Sequence, residues 1–134
     1  MKTKALSILL LLAITGCKSA TREPVTIICD PAPEPVEIVS LKDVERIKNL
    51  DGKWVQLEGY LHTNFEDVAI YPAQHAPSKE AIWLGCEFGN IPSQKLDSLH
   101  DKKVQIIGRL NLKDKGHWEF YLGALDSIKC LKVF

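Results

Sequence analysis

Two seven-residue segments carry the same alternation of apolar and polar positions. Val55-Gln56-Leu57-Glu58-Gly59-Tyr60-Leu61 and Val104-Gln105-Ile106-Ile107-Gly108-Arg109-Leu110 both read V-Q-[LI]-x-G-x-L. Valine, leucine or isoleucine, glycine and leucine then share one side of an extended chain, the pattern of a half-buried strand. A glycine inside such a strand weakens a flat sheet, so each marks a sharp bend or a bulge. Shorter strands are expected at Val68–Pro72 and at Ala81–Phe88, the latter with Ile82, Leu84, Cys86 and Phe88 on one side. Lys113-Asp114-Lys115-Gly116 reads as a hairpin turn, and Trp118–Leu122 as the start of the last strand. Helical spacing appears twice. Leu41, Val44, Ile47 and Leu50 form a stripe between a capping Ser40 and a terminating Gly52, with Asp43 in the first turn. Pro92–His100 reads as a short helix with Leu96 and Leu99 inward.

The order is a helix followed by β-β-β-α-β-β. That is the order of an OB-fold, a five-stranded Greek-key barrel with its helix between strands three and four. The predicted class is therefore mainly β: a small five-stranded OB-like barrel with an additional N-terminal helix. A mixed α+β sandwich is the alternative. The two glycine-centred segments are read as the bent strands of one closed barrel, in preference to a duplication.

The stretch ahead of this domain has a different pattern. Lys2 and Lys4 precede an apolar run, Ala5–Ile14, broken by Ser7 alone. Ten residues are too few for a bilayer core of about 30 Å, which takes roughly 20, but they suit the hydrophobic region of a secretory signal. Ile14-Thr15-Gly16-Cys17 resembles the lipobox of bacterial lipoproteins. The resemblance implies cleavage after Gly16 and lipidation of the Cys17 thiol, with a signal peptide at 1–16. Each buried CH₂ adds about 0.8 kcal/mol, so two or more acyl chains hold where one does not. Lys18, where an Asp would favour inner-membrane retention in lipoproteins of enterobacterial type, implies sorting to the outer membrane with the domain facing the periplasm.

Residues 17–39 then read as a lipidated cysteine and a tether, and 40–134 as the barrel domain. Pro24, Pro31, Pro33 and Pro35 favour an extended backbone, because proline fixes φ and blocks helix. At about 3.1 Å per residue, such a tether would hold the domain some 60–70 Å from the membrane. Thr26-Ile27-Ile28-Cys29 interrupts it and is able to dock on the domain instead. With Cys17 lipidated, Cys29, Cys86 and Cys130 allow three pairings in an oxidising periplasm, or three free thiols. Cys29–Cys130 is the favoured pair, since it pins the tether to the end of the domain. No C-x-x-C zinc spacing occurs.

Composition sharpens the address more than the activity. The 134 residues hold 17 basic and 17 acidic side chains. Removing 1–16 takes two lysines and no acid, leaving a net charge of −2. Nucleic-acid binding, which needs a basic footprint, is opposed. Trp54, Tyr60, Trp83 and Tyr121 have outward strand parity, but without a Lys/Arg stripe they are better covered by the N-terminal helix or a partner than by bases. No G-x-S-x-G elbow, phosphate loop or cofactor fingerprint is present, so neither a catalytic residue nor a cofactor is assigned.

In the barrel reading, His62–Asp67 joins strands one and two, and Lys113–His117 joins strands four and five. These loops border the usual OB ligand face. His62, Glu66 and His117 are therefore the candidate site, for an envelope protein or a small molecule. Two imidazoles and a carboxylate also suit a divalent metal or acid–base work, which makes a metal-binding protein or metal-dependent enzyme the alternative. Backbone-bonded histidines and a solvated Glu66 are the plainest account of the same residues. His75 and His100 sit at loop or helix-end positions. Gly59-Tyr60-Leu61-His62-x-x-Phe65-Glu66, Ala81-Ile82-Trp83-Leu84, Gly116-His117 and Gly123-Ala124-Leu125 resemble a family of small, uncharacterised bacterial proteins with OB-like domains. The resemblance spans about residues 41–131, implies the fold, and transfers no activity.

The lipobox has a direct consequence. Replacing Cys17 with Ser is expected to abolish incorporation of labelled fatty acid and to move the protein out of the membrane fraction; unchanged fractionation would refute the anchor.

Overall fold

The computed structural model describes residues 23–85, 88 and 91–134. Among these residues, seven strands and two short α-helices follow one another as β1 (Val25–Cys29), β2 (Val36–Ile38), α1 (Val44–Lys48), β3 (Trp54–Asn64), β4 (Asp67–Tyr71), β5 (Ile82–Trp83), α2 (Ser93–Asp97), β6 (Lys103–Asn111) and β7 (Gly123–Val133). Five of them close on themselves. β3 pairs with β4, β4 with β5, β5 with β7, β7 with β6, and β6 returns to β3. Only the β5–β7 contact is parallel within this ring. The architecture is thus mainly β, a closed five-strand barrel with two further strands.

The two glycine-centred segments are partners in this ring. Val55 faces Gly108, Leu57 faces Ile106 and Gly59 faces Val104, so each glycine opposes the other segment's valine across an antiparallel ladder. The shared face points inward: Val55, Leu57, Leu61, Val104, Ile106 and Leu110 are all buried. The glycines sit where each long strand changes neighbours or register. Tyr60 pairs with Lys103 of β6 and also with Tyr71 of β4, and the β6–β7 register shifts between Ile107 and Gly108. Any Cβ at Gly59 would overlap the Tyr71 carbonyl oxygen, and at Gly108 it would fall 2.6 Å from that of Ser127. A strand that crosses so closely has no room for a side chain.

Several local expectations are corrected. The sheet extends upstream of residue 40, so the described part of 17–39 is not a tether throughout. β1 pairs antiparallel with β7, and β2 pairs parallel with β3, with the proline run between them. The reason is burial: Ile27 and Ile28 pack against the core, and Cys29 is disulfide-bonded to Cys130. The helix expected over Ser40–Gly52 is one turn and a half, because the Asp43 side chain accepts from the Arg46 N–H and caps it late. Leu41 and Ile47 are nonetheless buried, as the stripe requires. The Pro92–His100 helix likewise shortens to α2, starting directly after Pro92. The strand expected over Ala81–Phe88 is two residues long and stops before Gly85, which takes a positive φ of 56°. Cys17 and Cys86 lie outside the described residues. The last strand starts at Gly123, not Trp118, since His117–Glu119 forms a 3-10 turn.

Because both glycine contacts are with backbone oxygens, relief requires strand movement. Gly59→Ala and Gly108→Ala are each expected to destabilise the barrel by about 1–3 kcal/mol. A lowered urea midpoint at unchanged m-value would show it, and an unshifted midpoint in both variants would contradict the close crossing.

Candidate functional site

β3 continues past Gly59 with Leu61 inward and His62 outward, then turns into β4 through Phe65 and Glu66 alone. His62 therefore belongs to a strand, not to the loop in which it was expected. Asp67 opens β4, and Asp67, Ala69 and Tyr71 share its outward face because side chains alternate along a strand. Ala69, Tyr71, Ala81 and Tyr121 form a second buried cluster on the outside of the barrel, with Trp83 packed against it.

Asp67 is the hub of this face. Its Oδ1 accepts from the Tyr71 and Tyr121 hydroxyls, both at 2.7 Å, and its Oδ2 lies 2.8 Å from His62 Nδ1. A carboxylate only accepts, so Nδ1 carries a proton and donates it to Asp67. The His62 ring stacks on Tyr71 with centroids 4.0 Å apart. Nε2 has no hydrogen-bond partner among the described residues. Asp101 Oδ1 stands 3.4 Å from it, close enough for ion-pair attraction but out of hydrogen-bond alignment. The other Asp101 oxygen is 3.4 Å from His100 Nε2, and His100 Nδ1 accepts the Thr63 N–H at 3.1 Å.

The connection from β6 to β7 covers the far side. Its Tyr121 reaches Asp67, with centroids 5.0 Å from Trp83. Gly116 lies on the Trp83 indole so closely that a Cβ there would overlap the ring. The next residue, His117, lies 6.4 Å from Trp83 in a stacked arrangement, and its Nε2 is 4.0 Å from Glu66 Oε2. Thus Glu66 and His117 do meet, across the β3–β4 turn and the β6–β7 loop. His62 instead belongs to the Asp67 hub. The three form no common metal set: among the described residues, no group of three His, Cys, Asp or Glu is placed to hold an ion. His75 is exposed and takes no part.

Of the four aromatics expected to face outward, Trp54, Tyr60 and Trp83 are partly exposed and Tyr121 is buried. Tyr60 lines a different feature, an open groove of about 490 Å³ bounded by Val39, Lys42, Pro72 and Lys103. That groove contains none of the hydrogen-bonded cluster. The polar convergence, and not the volume, marks the candidate site.

Burial raises the Asp67 carboxyl, but hydrogen bonds from Tyr121, His62 and Tyr71, with the His62 charge, outweigh it and hold the pKa below the ordinary value. Both phenols move the other way. Burial pushes Tyr71 and Tyr121 up, and the adjacent Asp67 charge adds to both. The arrangement can hold a proton between imidazole and carboxylate, and it keeps both phenols protonated as fixed donors.

Asp67, Tyr71 and Asp101 were not singled out in the sequence, whereas Tyr121 was read only as an outward aromatic and His100 only as a loop or helix-end residue. Asp67 and Tyr71 had a usable signal, since i and i+4 share one face of a strand. Tyr121 had none, because its partner is 54 residues away. Compared with known protein families, characterised proteins and solved structures, the chain finds no match.

The shifts set a pH profile. A lowered Asp67 pKa stabilises the fold above the unfolded carboxyl value and loses that contribution as pH falls through the folded one. Raised phenol pKa values stabilise it below the unfolded tyrosine value, about 10, and fade at higher pH. Asp67→Asn is expected to lower stability by about 2–3 kcal/mol at neutral pH, as hydrogen bonds to a charged acceptor are lost. It should also flatten the acid limb of a stability–pH curve. An acid limb identical to that of the parent protein would remove Asp67 from this role.

Proposed function

We propose that the chain is an outer-membrane lipoprotein, anchored through Cys17, whose OB-like barrel faces the periplasm and binds a partner without catalysing a reaction. The ring order β3-β4-β5-β7-β6, parallel only between its third and fifth strands, supports the OB-like assignment. So does the position of α2 between the third and fourth. One observation carries the binding reading: the β3–β4 turn and the β6–β7 loop converge over the Asp67 hub, on the flank that OB barrels use for ligands.

Such an anchor would keep the start of β1 close to the bilayer. Seven residues separate Cys17 from the start of β1, and a chain extends at most about 3.3–3.6 Å per residue. The leash is therefore at most about 30 Å, half of what a tether running to residue 39 would allow. A non-catalytic role is favoured by what surrounds His62. Asp67 orients its ring as a general base would be oriented, but the group at Nε2 is the Asp101 carboxylate and not a hydroxyl or thiol. The metal-dependent alternative lacks its three donors among the described residues.

Amide hydrogen exchange tests the binding face. Full-length protein in purified outer-membrane vesicles, compared with the same protein in detergent, is expected to gain protection across residues 62–71 and 113–123. Identical exchange in both states, or protection confined to the Tyr60 groove, would overturn the assignment.

A further inference from the structure

We infer that His62 and Asp101 form a pH-sensitive latch. It fastens the turn from α2 into β6, residues 98–102, to the end of β3 when the His62 imidazole is charged, and loosens that turn when the ring is neutral. The device lies inside the fold and needs no ligand.

The surroundings of His62 suit an imidazolium. Its side chain is 16% exposed, and each ring nitrogen faces a carboxylate. Nδ1 lies 2.8 Å from Asp67 Oδ2, and Nε2 lies 3.4 Å from Asp101 Oδ1. A charged ring presents a proton to both. Either neutral tautomer turns a lone pair on one of them, and Nε2 is buried with no hydrogen-bond partner among the described residues. The two carboxylates do not yield equally. Asp67 is held by the Tyr71 and Tyr121 hydroxyls, each at 2.7 Å. Asp101 has a side chain 55% exposed and reaches His62 only through the longer contact. Neutralising His62 therefore keeps the Nδ1–H on Asp67 and releases Asp101.

Asp101 carries that release into the backbone. Its φ of 60° lies in the left-handed region, where Asp and Asn are among the few tolerated side chains. The Asp101 N–H donates to the Leu61 carbonyl at 2.8 Å, and the Leu61 N–H donates to the Lys102 carbonyl at 3.0 Å. The β3–β6 ladder ends at Tyr60 and Lys103, so these two bonds extend the attachment of the turn past it. His100 adds a third, accepting the Thr63 N–H on Nδ1 at 3.1 Å. This histidine does not duplicate the switch. With Nδ1 accepting, a neutral His100 keeps its proton on Nε2, which faces Asp101 Oδ2 at 3.4 Å. Charging His100 would place a proton on Nδ1 and break the Thr63 bond, the opposite response.

The other groups around the ring keep their charge state near neutral pH. Burial opposes the Asp67 charge, but hydrogen bonds from Tyr121, His62 and Tyr71 outweigh it and hold the carboxyl below its ordinary range. Burial and the Asp67 charge push Tyr121 up, and also Tyr71, which stacks on the imidazole at 4.0 Å. Glu66 faces His117 instead, and Lys102 is exposed. That leaves the imidazoles, side chains whose charge ordinarily changes between about pH 5 and 8.

Solution NMR of the full-length protein in a zwitterionic detergent, from about pH 5 to about pH 9, tests the latch. The carbon-bound protons of the His62 ring report its charge. Exchange of the Leu61 and Asp101 N–H groups, corrected for the intrinsic pH dependence of amide exchange, reports the turn. Protection of both amides is expected to fall at least about fivefold as His62 loses its proton, with a shared midpoint, while the Ile47 N–H of α1 stays level. Asp101→Asn should abolish the fall, and asparagine tolerates the same backbone, so this variant keeps the turn. His100→Gln should weaken protection of the Thr63 N–H and retain the fall. A His62 titration with level protection, a ring that holds one charge state throughout, or a fall that persists in Asp101→Asn would overturn the inference. So would a fall lost in His100→Gln with Asp101 in place, which would assign the switch to His100.

Discussion

The antiparallel pairing of β3 with β6 is the contact on which the rest of the molecule is built. Two short sequences of the same form lie face to face, so that glycine opposes valine at both ends and Leu57 opposes Ile106 in the middle. Inward positions form a continuous apolar row, and the missing side chains at Gly59 and Gly108 let neighbouring strands cross within contact of the backbone. Without those gaps the strands would continue straight, and a five-membered ring of strands could not close. Closure matters for solubility as well as shape, because a barrel leaves fewer unpaired sheet edges than an open sheet of the same strands. The remaining edges are borne by β1 and β2, the added strands.

Closure also explains why a site exists on the outside of the ring. β3 must leave β6 at Gly59 and join β4, which turns its last residues, including His62, onto the flank where β4 and β5 lie. Small residues, Ala69 and Ala81, keep that flank low enough for Tyr71, Tyr121 and Trp83 to lie across it. Asp67 then sits under two phenols and beside an imidazole, half withdrawn from water. Its three donors satisfy a charge that burial alone would oppose, and each donor comes from a different element of the fold. Removing any one of them weakens the others, since they share one carboxylate in a medium of reduced dielectric.

Periodicity in the sequence revealed β3 and β6 with their inward faces, because an alternation of apolar and polar residues is a local record of which side is buried. It also located the two bends, through glycines that had no other use. What it missed is non-local or depends on competing caps. Ser40 and Asp43 both offer a cap, and only packing decides for Asp43. Trp118-Glu119-Phe120-Tyr121 looks like strand by composition, but a glycine at φ 67° ahead of it starts a turn, and Tyr121 is drawn to Asp67. The tail from Val25 to Ile38 read as linker because its prolines dominate the composition, while its pairing is with later strands, Val36 of β2 with Trp54 and Cys29 of β1 with Cys130. For the site, Glu66 and His117 were legible through the loop positions of the barrel. His62 was placed on the right flank but with the wrong neighbours, as strand parity, and not loop proximity, sets what it touches.

The N-terminal segment links these elements to the proposed anchor. β1 is the first described strand after Cys17, and its pairing with β7 is fastened by Cys29–Cys130, which closes a loop with a sequence separation of 101 residues. In the chain-entropy account, a loop of about 100 residues gains close to 4.7 kcal/mol from such a crosslink, a large share of the stability of a domain this small. A crosslink of this type persists in an oxidising compartment, which fits an exported protein. It also fixes mechanics. A pull on the N-terminal segment is passed from β1 to Cys130 of β7, a strand that pairs with β6 and β5 of the ring. Such a force therefore enters the barrel through a covalent bond, and peeling β1 from its edge would not by itself release the domain. Under the proposed anchor at Cys17, a short leash and a stapled first strand together hold the start of the domain at a bounded distance from the bilayer.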